Sequence, residues 1–373
     1  MCVNKALIVG GGIAGLTAAI SMARKGIACD VVEITSSGEP VGAAITISGP
    51  AIETLAAVGI LDACKELGRA NALIGDIYDA AGKPIGDGPP GNREAPAAVS
   101  IFRPVLSELL SKQARRHGAR LRYSISVKTL VQIDDGVVAE FTDGTKGRYD
   151  LVVGADGIRS EVRRLAIADD IQPHHARQTS VRWMAKGPPI DGPHMLYCAP
   201  TITLLSIPLP LQNFIYVATV SNGCLTEHVD SDKARAILAE QLAAFTAPYV
   251  VELAKRLTPA SDVVVRPFEW LLLPYPWFRG RVLLIGDAAH ATTPHLAAGG
   301  GMAMEDAVVL AECLATAASV KVGLDAFMER RFERVRRVVD SSVAISKLEQ
   351  EGASPSTIYA RRNAAIRQLA EPY

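Results

Sequence analysis

The sequence predicts an α/β protein: a Rossmann-like nucleotide-binding domain with an antiparallel sheet inserted into it and helices at the C-terminal end. Three observations carry this. A short apolar strand, a glycine turn and an apolar helix open the chain, at 5–9, 10–12 and 13–24. Two further apolar strands, in 151–157 and 281–290, each run into Gly and Asp. Between them, residues 178–222 switch to long alternating runs with prolines at 188, 189, 193, 200, 208 and 210, the pattern of a separate antiparallel sheet.

A chain of 373 residues suggests about two domains at roughly 150 residues each. Lys and Arg number 39, as do Asp and Glu, so no net field holds a nucleic acid or an anionic membrane. Hydrophobic residues at 49% and charged residues at 21% exclude a disordered or fibrous chain. Six cysteines, at 2, 29, 64, 198, 224 and 313, form no Cys-x-x-Cys and no cluster with His. That usage fits a reducing compartment and gives no metal site. The apolar stretch 6–23 behind Lys5 has the look of a secretion signal, but three consecutive glycines suit a strand-turn-helix instead. Nothing else approaches the roughly 20 apolar residues that span a bilayer. A cytoplasmic enzyme or binding protein is expected, with no membrane insertion.

The elements follow in order. Gly26 stops the first helix and 28–33 (ACDVVE) is a second strand, completing a βαβ unit. Residues 51–69 read as one helix or a pair, and 74–96, rich in Gly and Pro, as a stretch with little regular structure. An amphipathic helix covers 103–117, and strands follow near 120–127, 129–134 and 137–141, with Asp-Gly turns. Residues 231–257 are helical, 263–273 strand-like, 302–340 largely helical, and a last short helix lies near 356–368.

Gly10-Gly11-Gly12-Ile13-Ala14-Gly15 contains G-x-G-x-x-G between strand and helix, and Glu33 ends the next strand 18 residues after Gly15. Gly10 permits the tight turn, Gly12 lets a pyrophosphate approach the helix N-terminus, and Gly15 lets helix and sheet touch. Glu33 can accept ribose hydroxyls. Gly10, Gly12, Ile13, Ala14, Gly15 and Glu33 are therefore candidate dinucleotide-binding residues. Asp156-Gly157 and Gly286-Asp287 each place an Asp after a buried strand beside small residues, where it can bond a polyol chain. Read alone, each is as well explained as a strand-ending turn.

The three motifs in this order resemble the class A, single-component flavoprotein monooxygenases, the group of para-hydroxybenzoate hydroxylase and the 6-hydroxynicotinate monooxygenases. The resemblance covers about 3–340. It extends to His290, Pro294, a glycine-rich turn and Glu305-Asp306-Ala307 opening a helix. It implies a GR2-type FAD-binding domain in two pieces, 1–177 and 276–340, a substrate-binding sheet domain at 178–275, and a C-terminal helical extension at 341–373. A thioredoxin-like domain, added in many relatives, is not expected. It also implies FAD contacts at Arg103, Val127, Asp156, Gly157, Gly286, Asp287 and Gly299. A mobile loop, Gly42-Ala43-Ala44-Ile45, would lie beside the flavin ring.

The implied chemistry is reduction of FAD by a transiently visiting NAD(P)H, formation of a flavin C4a-hydroperoxide with O2, and hydroxylation of a small or mid-sized aromatic or heteroaromatic compound. Backbone N–H groups at Gly301 and Met302 would stabilise charge on the reduced flavin, and Pro294 would line the oxygen site. Where many relatives carry Gln and Asn, this chain has Gly300 and Ala303, so flavin contacts lean on the backbone. His295 is the acid/base candidate and Thr46 a weaker one. Ile202, Thr203, Leu204, Leu205 and Ser206 give an apolar sheet surface, which favours a weakly charged aromatic. Alternation puts Arg182 and Trp183 on opposite faces, one toward the pocket or toward solvent. His174-His175 has no ligand-spaced partner and reads as surface, and His290 as support for its turn. A monomer or homodimer is expected. The rival readings are a reductase or halogenase on the same scaffold, or a flavin-binding protein without turnover. The halogenase W-x-W-x-I-P segment is missing, since Trp183 precedes Met184-Ala185 and Trp270 precedes Leu271-Leu272.

Overall fold

The computed structural model describes residues 2–36, 43–72, 77–85, 97–191, 196–223 and 229–371. The N-terminal part holds β1 (Lys5–Val9), α1 (Ile13–Arg24), β2 (Ala28–Glu33), β3 (Ala44–Ser48), α2 (Ala51–Ala57), α3 (Leu61–Leu67), β4 (Arg69–Ala72), β5 (Ile77–Asp79), β6 (Pro84–Ile85) and β7 (Ala97–Phe102). Then come α4 (Arg103–Arg116), β8 (Arg120–Tyr123), β9 (Val127–Ile133), β10 (Gly136–Phe141), β11 (Lys146–Tyr149), β12 (Leu151–Gly154) and α5 (Glu161–Ala166). The central part holds β13 (His174–Lys186), β14 (Leu196–Cys198), β15 (Ile202–Leu209), β16 (Phe214–Asn222), α6 (Ser231–Ala243), α7 (Pro248–Ala254) and β17 (Val263–Trp270). The chain closes with β18 (Phe278–Arg279), β19 (Val282–Leu284), α8 (Asp287–His290), α9 (Gly299–Thr316), α10 (Val320–Gln350) and α11 (Pro355–Leu369).

One sheet has the order β18-β19-β12-β1-β2-β8, parallel except at the β18–β19 edge. Its strands are almost wholly buried: Leu7, Ile8, Leu151, Val152, Val153 and Leu283 are all 0% exposed. That is the mark of a sheet covered on both faces. The register decides where the site lies. Val9 stands opposite both Gly154 and Val32, and Gly154 opposite Leu284. The strands thus end level, and the turns after them (Gly10, Ala155-Asp156 and Gly286-Asp287) open into one crevice, where open α/β sheets bind ligands.

The second large sheet has the order β17-β13-β16-β15-β14-β5-β6. Val181, Trp183, Leu204, Ile215 and Val217 face one side, packing with Leu238 and Leu253 of α6 and α7. The opposite face carries Arg182, Met184, Leu205, Ile207, Tyr216 and Ala218 and turns toward Ala43 and Phe102 of the first layer. Trp183 is therefore core, and neither side of β13 at this point faces solvent.

Several expectations change here. Residues 77–85, expected to be irregular, form a two-strand edge of the second sheet; strands of three and two residues are too short to show a period. Residues 86–96 and Gly42 of the expected mobile loop lie outside the described residues, and Ala44-Ile45 belong to β3. The C-terminal helix expected from 302 starts at Gly299, so Glu305-Asp306 sit in its second turn rather than opening it. Gly300 and Gly301 tolerate helix because they must pack: an added Cβ would stand 2.7 Å from Ile45 and 2.8 Å from Ala51. Helix α10 runs unbroken through position 341 to Gln350. No described helix is long and apolar enough to cross a membrane.

Candidate active site

The glycine turn has the geometry its spacing requires. Gly10 has φ +108°, and a Cβ there would lie 2.3 Å from the Ala155 carbonyl oxygen. A Cβ on Gly15 would lie 1.9 Å from the Gly10 oxygen, so helix and turn touch backbone to backbone. Around Gly12 an added Cβ meets nothing within 4 Å. That open space sits at the N-terminus of α1, where unpaired amides and the helix dipole favour an anion. Glu33 closes the end of β2: its Oε2 accepts the Gly11 amide at 2.7 Å, and its Oε1 accepts the Thr35 amide at 2.9 Å. Ile13 is half-buried. Ala14 is packed, and a Cβ on Gly286 would stand 3.1 Å from the Cβ atoms of both Ala14 and Ala303. Gly286 is thus the contact point of α1, α9 and the crevice.

The two aspartates behave differently. Asp156 is committed to the protein: its carboxylate accepts Ser160 Oγ at 2.5 Å and the amides of Glu161 at 2.7 Å and Val162 at 3.0 Å, capping α5. Burial raises its carboxyl despite these bonds. Its neighbour Gly157, at φ +80°, is open on its Cβ side. Asp287, at the start of α8, is exposed yet has protein close around it, with Arg103 within Coulombic reach. That desolvation raises its carboxyl, opposed by His290 and Arg103.

Arg103 opens α4, and its amide donates to the Ala43 carbonyl at 2.8 Å. Burial lowers its guanidinium, Asp287 opposes that and Arg182 adds to it. The Nε atoms of Arg103 and of Arg182 are both buried without a hydrogen-bond partner. Buried donors of this kind cost free energy unless something bonds them. Ala43 and Ala44 pack with Tyr216 and Ala218 in the same place. Val127 is 3% exposed and belongs to the core; the contact of this segment with Glu33 is made by the Ile125 amide, 3.0 Å from the Glu33 oxygen.

The segment before α9 carries the remaining candidates. Pro294 is exposed and starts a 3-10 turn, Pro294–Leu296. The Met302 amide already donates to Ala298 at 2.9 Å, the first bond of the helix. The open amides are therefore those of Gly299, Gly300 and Gly301, one residue earlier than expected. Below them lies a buried charge network: Arg331 donates to Asp306 and to Glu305, both at 2.8 Å, with all three side chains fully buried. The His290 ring meets Asp306 at 2.5 Å, and the Gly286 amide donates to the same oxygen at 3.0 Å. Burial alone would raise the Asp306 carboxyl, but His290 and Arg331 outweigh it and hold it at about 2. His290 thus locks the Gly286 turn to α9.

His295 is 7% exposed and both ring nitrogens are engaged, Nδ1 with Thr293 Oγ1 at 2.9 Å and Nε2 with Glu349 at 3.1 Å. Glu349 also accepts Gln178 Nε2 at 2.9 Å, and Ser346 donates to Gln178 at 2.6 Å. Thr46 lies on the small β3-β7-β4 sheet with its hydroxyl 2.8 Å from Ser100 Oγ. It is not brought to His295 by any contact described. His174 stacks on Trp270 with ring centroids 4.5 Å apart, and both His174 and His175 are exposed. No group of three metal-ligating side chains occurs among the described residues.

A cavity of about 710 Å³ lies on the Tyr216 face of the second sheet, closed by the end of α10 and by α11; Ile202, Thr203, Val220, Asn222, Glu349 and Arg362 line it. Of its charged groups, Asp79 comes from β5, and Glu349 and Arg362 come from the C-terminal helices, which sequence reasoning did not connect with the site. Glu349 is 54 residues from His295, and no local pattern marks it.

A family model described as an FAD binding domain matches residues 4–342. The 2-heptyl-3-hydroxy-4(1H)-quinolone synthase of Pseudomonas aeruginosa is 32% identical, covering 95% of this chain and 92% of its own. The aurachin C monooxygenase/isomerase of Stigmatella aurantiaca is 29% identical, covering 92% and 89%. Among solved structures, Klebsiella pneumoniae HpxO complexed with FAD and uric acid matches with a TM-score of 0.78 at 24% identity, over 99% of this chain and 93% of the other. That likeness shows a shared fold.

Proposed function

The chain belongs to the FAD-binding-domain family and is a flavoprotein monooxygenase, and from that premise we propose that it hydroxylates a small or mid-sized nitrogen heteroaromatic with NAD(P)H and O2. The level strand ends carry the reading. They bring the Gly10–Gly15 turn and Asp287 to one crevice with open space at Gly12, and Arg103, at the start of α4 with its Nε buried and unpartnered, lies within Coulombic reach of Asp287. Those features fit FAD. The N-terminus of α1 would take the pyrophosphate, Glu33 the ribose hydroxyls, Asp287 and Arg103 the polyol chain, and the Gly299–Gly301 amides the ring. When bound and reduced by NAD(P)H, FAD supplies the two-electron activation of O2.

The protein's own residues do the rest. The glycines of α9 let backbone donors reach the ring without a side chain intervening. Asp287 and Arg103 compensate each other's charge, so the crevice can take a neutral polyol. The second sheet roofs the crevice and excludes water, and the cavity beside His295 holds the substrate. His295, fixed between Thr293 and Glu349, is held in one orientation and is suited to guide a substrate proton rather than to swing freely. One named relative is a synthase of a hydroxylated 4(1H)-quinolone, another an aurachin C monooxygenase/isomerase, and the solved neighbour is complexed with uric acid; these names direct attention to heteroaromatic rings.

The test is purification followed by spectroscopy. A yellow protein whose NAD(P)H oxidation rises with added pyridines, quinolines or quinolones supports the proposal. A colourless protein that cannot be reconstituted with FAD would end it.

A further inference from the structure

We propose that Glu349 and Arg362, from the two C-terminal helices, are the specificity-determining residues of the substrate cavity, selecting a ring that carries both an N–H donor and an oxygen acceptor. This rests on the monooxygenase reading and names the substrate class of that site. Much of the remaining wall is the second sheet, where Thr203 and Val220 pair on the Tyr216 face and Ile202 lines the cavity at the start of β15. An apolar wall of this kind binds rings but does not tell them apart.

The two charged groups are incompletely used by the protein. Glu349 spends Oε2 on His295 and Gln178, at 3.1 and 2.9 Å, while Oε1 takes no bond from any described residue. His295, Arg362 and Gln178 outweigh burial and lower its carboxyl, so the open oxygen is an anionic acceptor. Arg362 lines the same cavity, its Nε is buried without a partner, and it makes no hydrogen bond to a described residue. The Glu349 carboxylate and the Arg362 guanidinium lie within Coulombic reach of each other and compensate, while the third charged group of the lining, Asp79, spends Oδ1 on the Ala81 and Lys83 amides. What Glu349 and Arg362 lack is a donor for the one and an acceptor for the other. Pyridones, quinolones and related cyclic amides or vinylogous amides supply both. A phenol joins donor and acceptor on one atom and a bare quinoline has no N–H and no oxygen, so neither meets both groups at once and a buried polar group is left unsatisfied.

The experiment uses the full-length FAD-loaded protein and three probes: 4-quinolone, N-methyl-4-quinolone, which lacks the N–H, and 1,2,3,4-tetrahydroquinoline, which keeps the N–H and lacks the oxygen. Binding is read from perturbation of the flavin spectrum in the native chain, Glu349→Gln and Arg362→Met. In the native chain, loss of the N–H and loss of the oxygen should each weaken binding by about tenfold or more, as expected for hydrogen bonds to charged groups. The N-methyl penalty should collapse in Glu349→Gln and persist in Arg362→Met; the tetrahydroquinoline penalty should do the reverse. Penalties that match the native ones in both variants would overturn the assignment. So would failure of 4-quinolone to bind at millimolar concentration. Flavin content and substrate-stimulated NAD(P)H oxidation, measured in the same preparations, separate this from failure of the monooxygenase reading: normal flavin and turnover with flat penalties refutes only the pair.

Discussion

Two alanine substitutions three residues apart separate the folding role of the glycine turn from its binding role. Gly12 has φ −80° and ψ −170°, a conformation open to any residue, and its added Cβ meets nothing within 4 Å. Gly12→Ala should therefore cost no stability and gain about 0.4–1 kcal/mol from the less flexible unfolded chain. The new methyl group nevertheless fills the space through which a pyrophosphate reaches the amides of α1. Loss of one charge-assisted bond, worth about 1.5–3 kcal/mol, raises the FAD dissociation constant by about tenfold or more. Gly15→Ala is the opposite case. Its Cβ would stand 1.9 Å from the Gly10 oxygen, a backbone atom that cannot step aside without moving β1 or α1. Overpacking of this kind costs about 1–3 kcal/mol or more. Thermal unfolding of the FAD-free proteins and titration with FAD by flavin fluorescence read the two effects. Gly12→Ala should melt no lower than the native chain and bind FAD weakly, and Gly15→Ala should melt several degrees lower. Native FAD affinity in Gly12→Ala, or a native melting point in Gly15→Ala, would refute the reasoning.

Other substitutions probe the remaining parts. Arg331→Ala removes the buried guanidinium shared by Glu305 and Asp306, leaving them Arg334 and His290, and should destabilise the fold by about 3 kcal/mol in chemical denaturation. The Asp306 carboxyl is held at about 2, below its ordinary 3.8, so its contribution is complete above pH 3.8 and is lost as pH falls toward 2. Its size is about 2 kcal/mol, and a denaturation series against pH in Asp306→Asn should lack that acid-limb loss. Asp287→Ala removes the carboxylate that faces Arg103 in the crevice and should weaken FAD retention about tenfold, measured by flavin loss on gel filtration. Unchanged retention there would remove Gly286-Asp287 from the site.

What could be read in the sequence was what local spacing encodes. Gly10, Gly12, Gly15 and Glu33 lie within one βαβ unit, so their geometry follows from a turn, a helix start and a strand end. The meeting of that unit with Gly286 needed the parallel register, which motif order could anticipate but not place. Residues whose role arises only from tertiary contact gave no signal. Glu349 reaches His295 across 54 positions, and Arg362 lies on what the sequence shows only as a last short helix. The helix start at Gly299 was hidden because glycine is a poor helix former; close packing against Ile45 and Ala51 overrides that propensity. Asp156 looked like a cofactor ligand, yet its oxygens are taken by the cap of α5, as a strand-ending turn would have them.

The central assignment is most directly tested by the fate of oxygen during turnover. Supplied with NAD(P)H, a quinolone or pyridone substrate and isotopically heavy O2, the FAD-loaded protein should yield a hydroxylated product carrying one heavy oxygen atom. Product oxygen drawn from water, or hydrogen peroxide formed in place of product with every heteroaromatic tried, would contradict it.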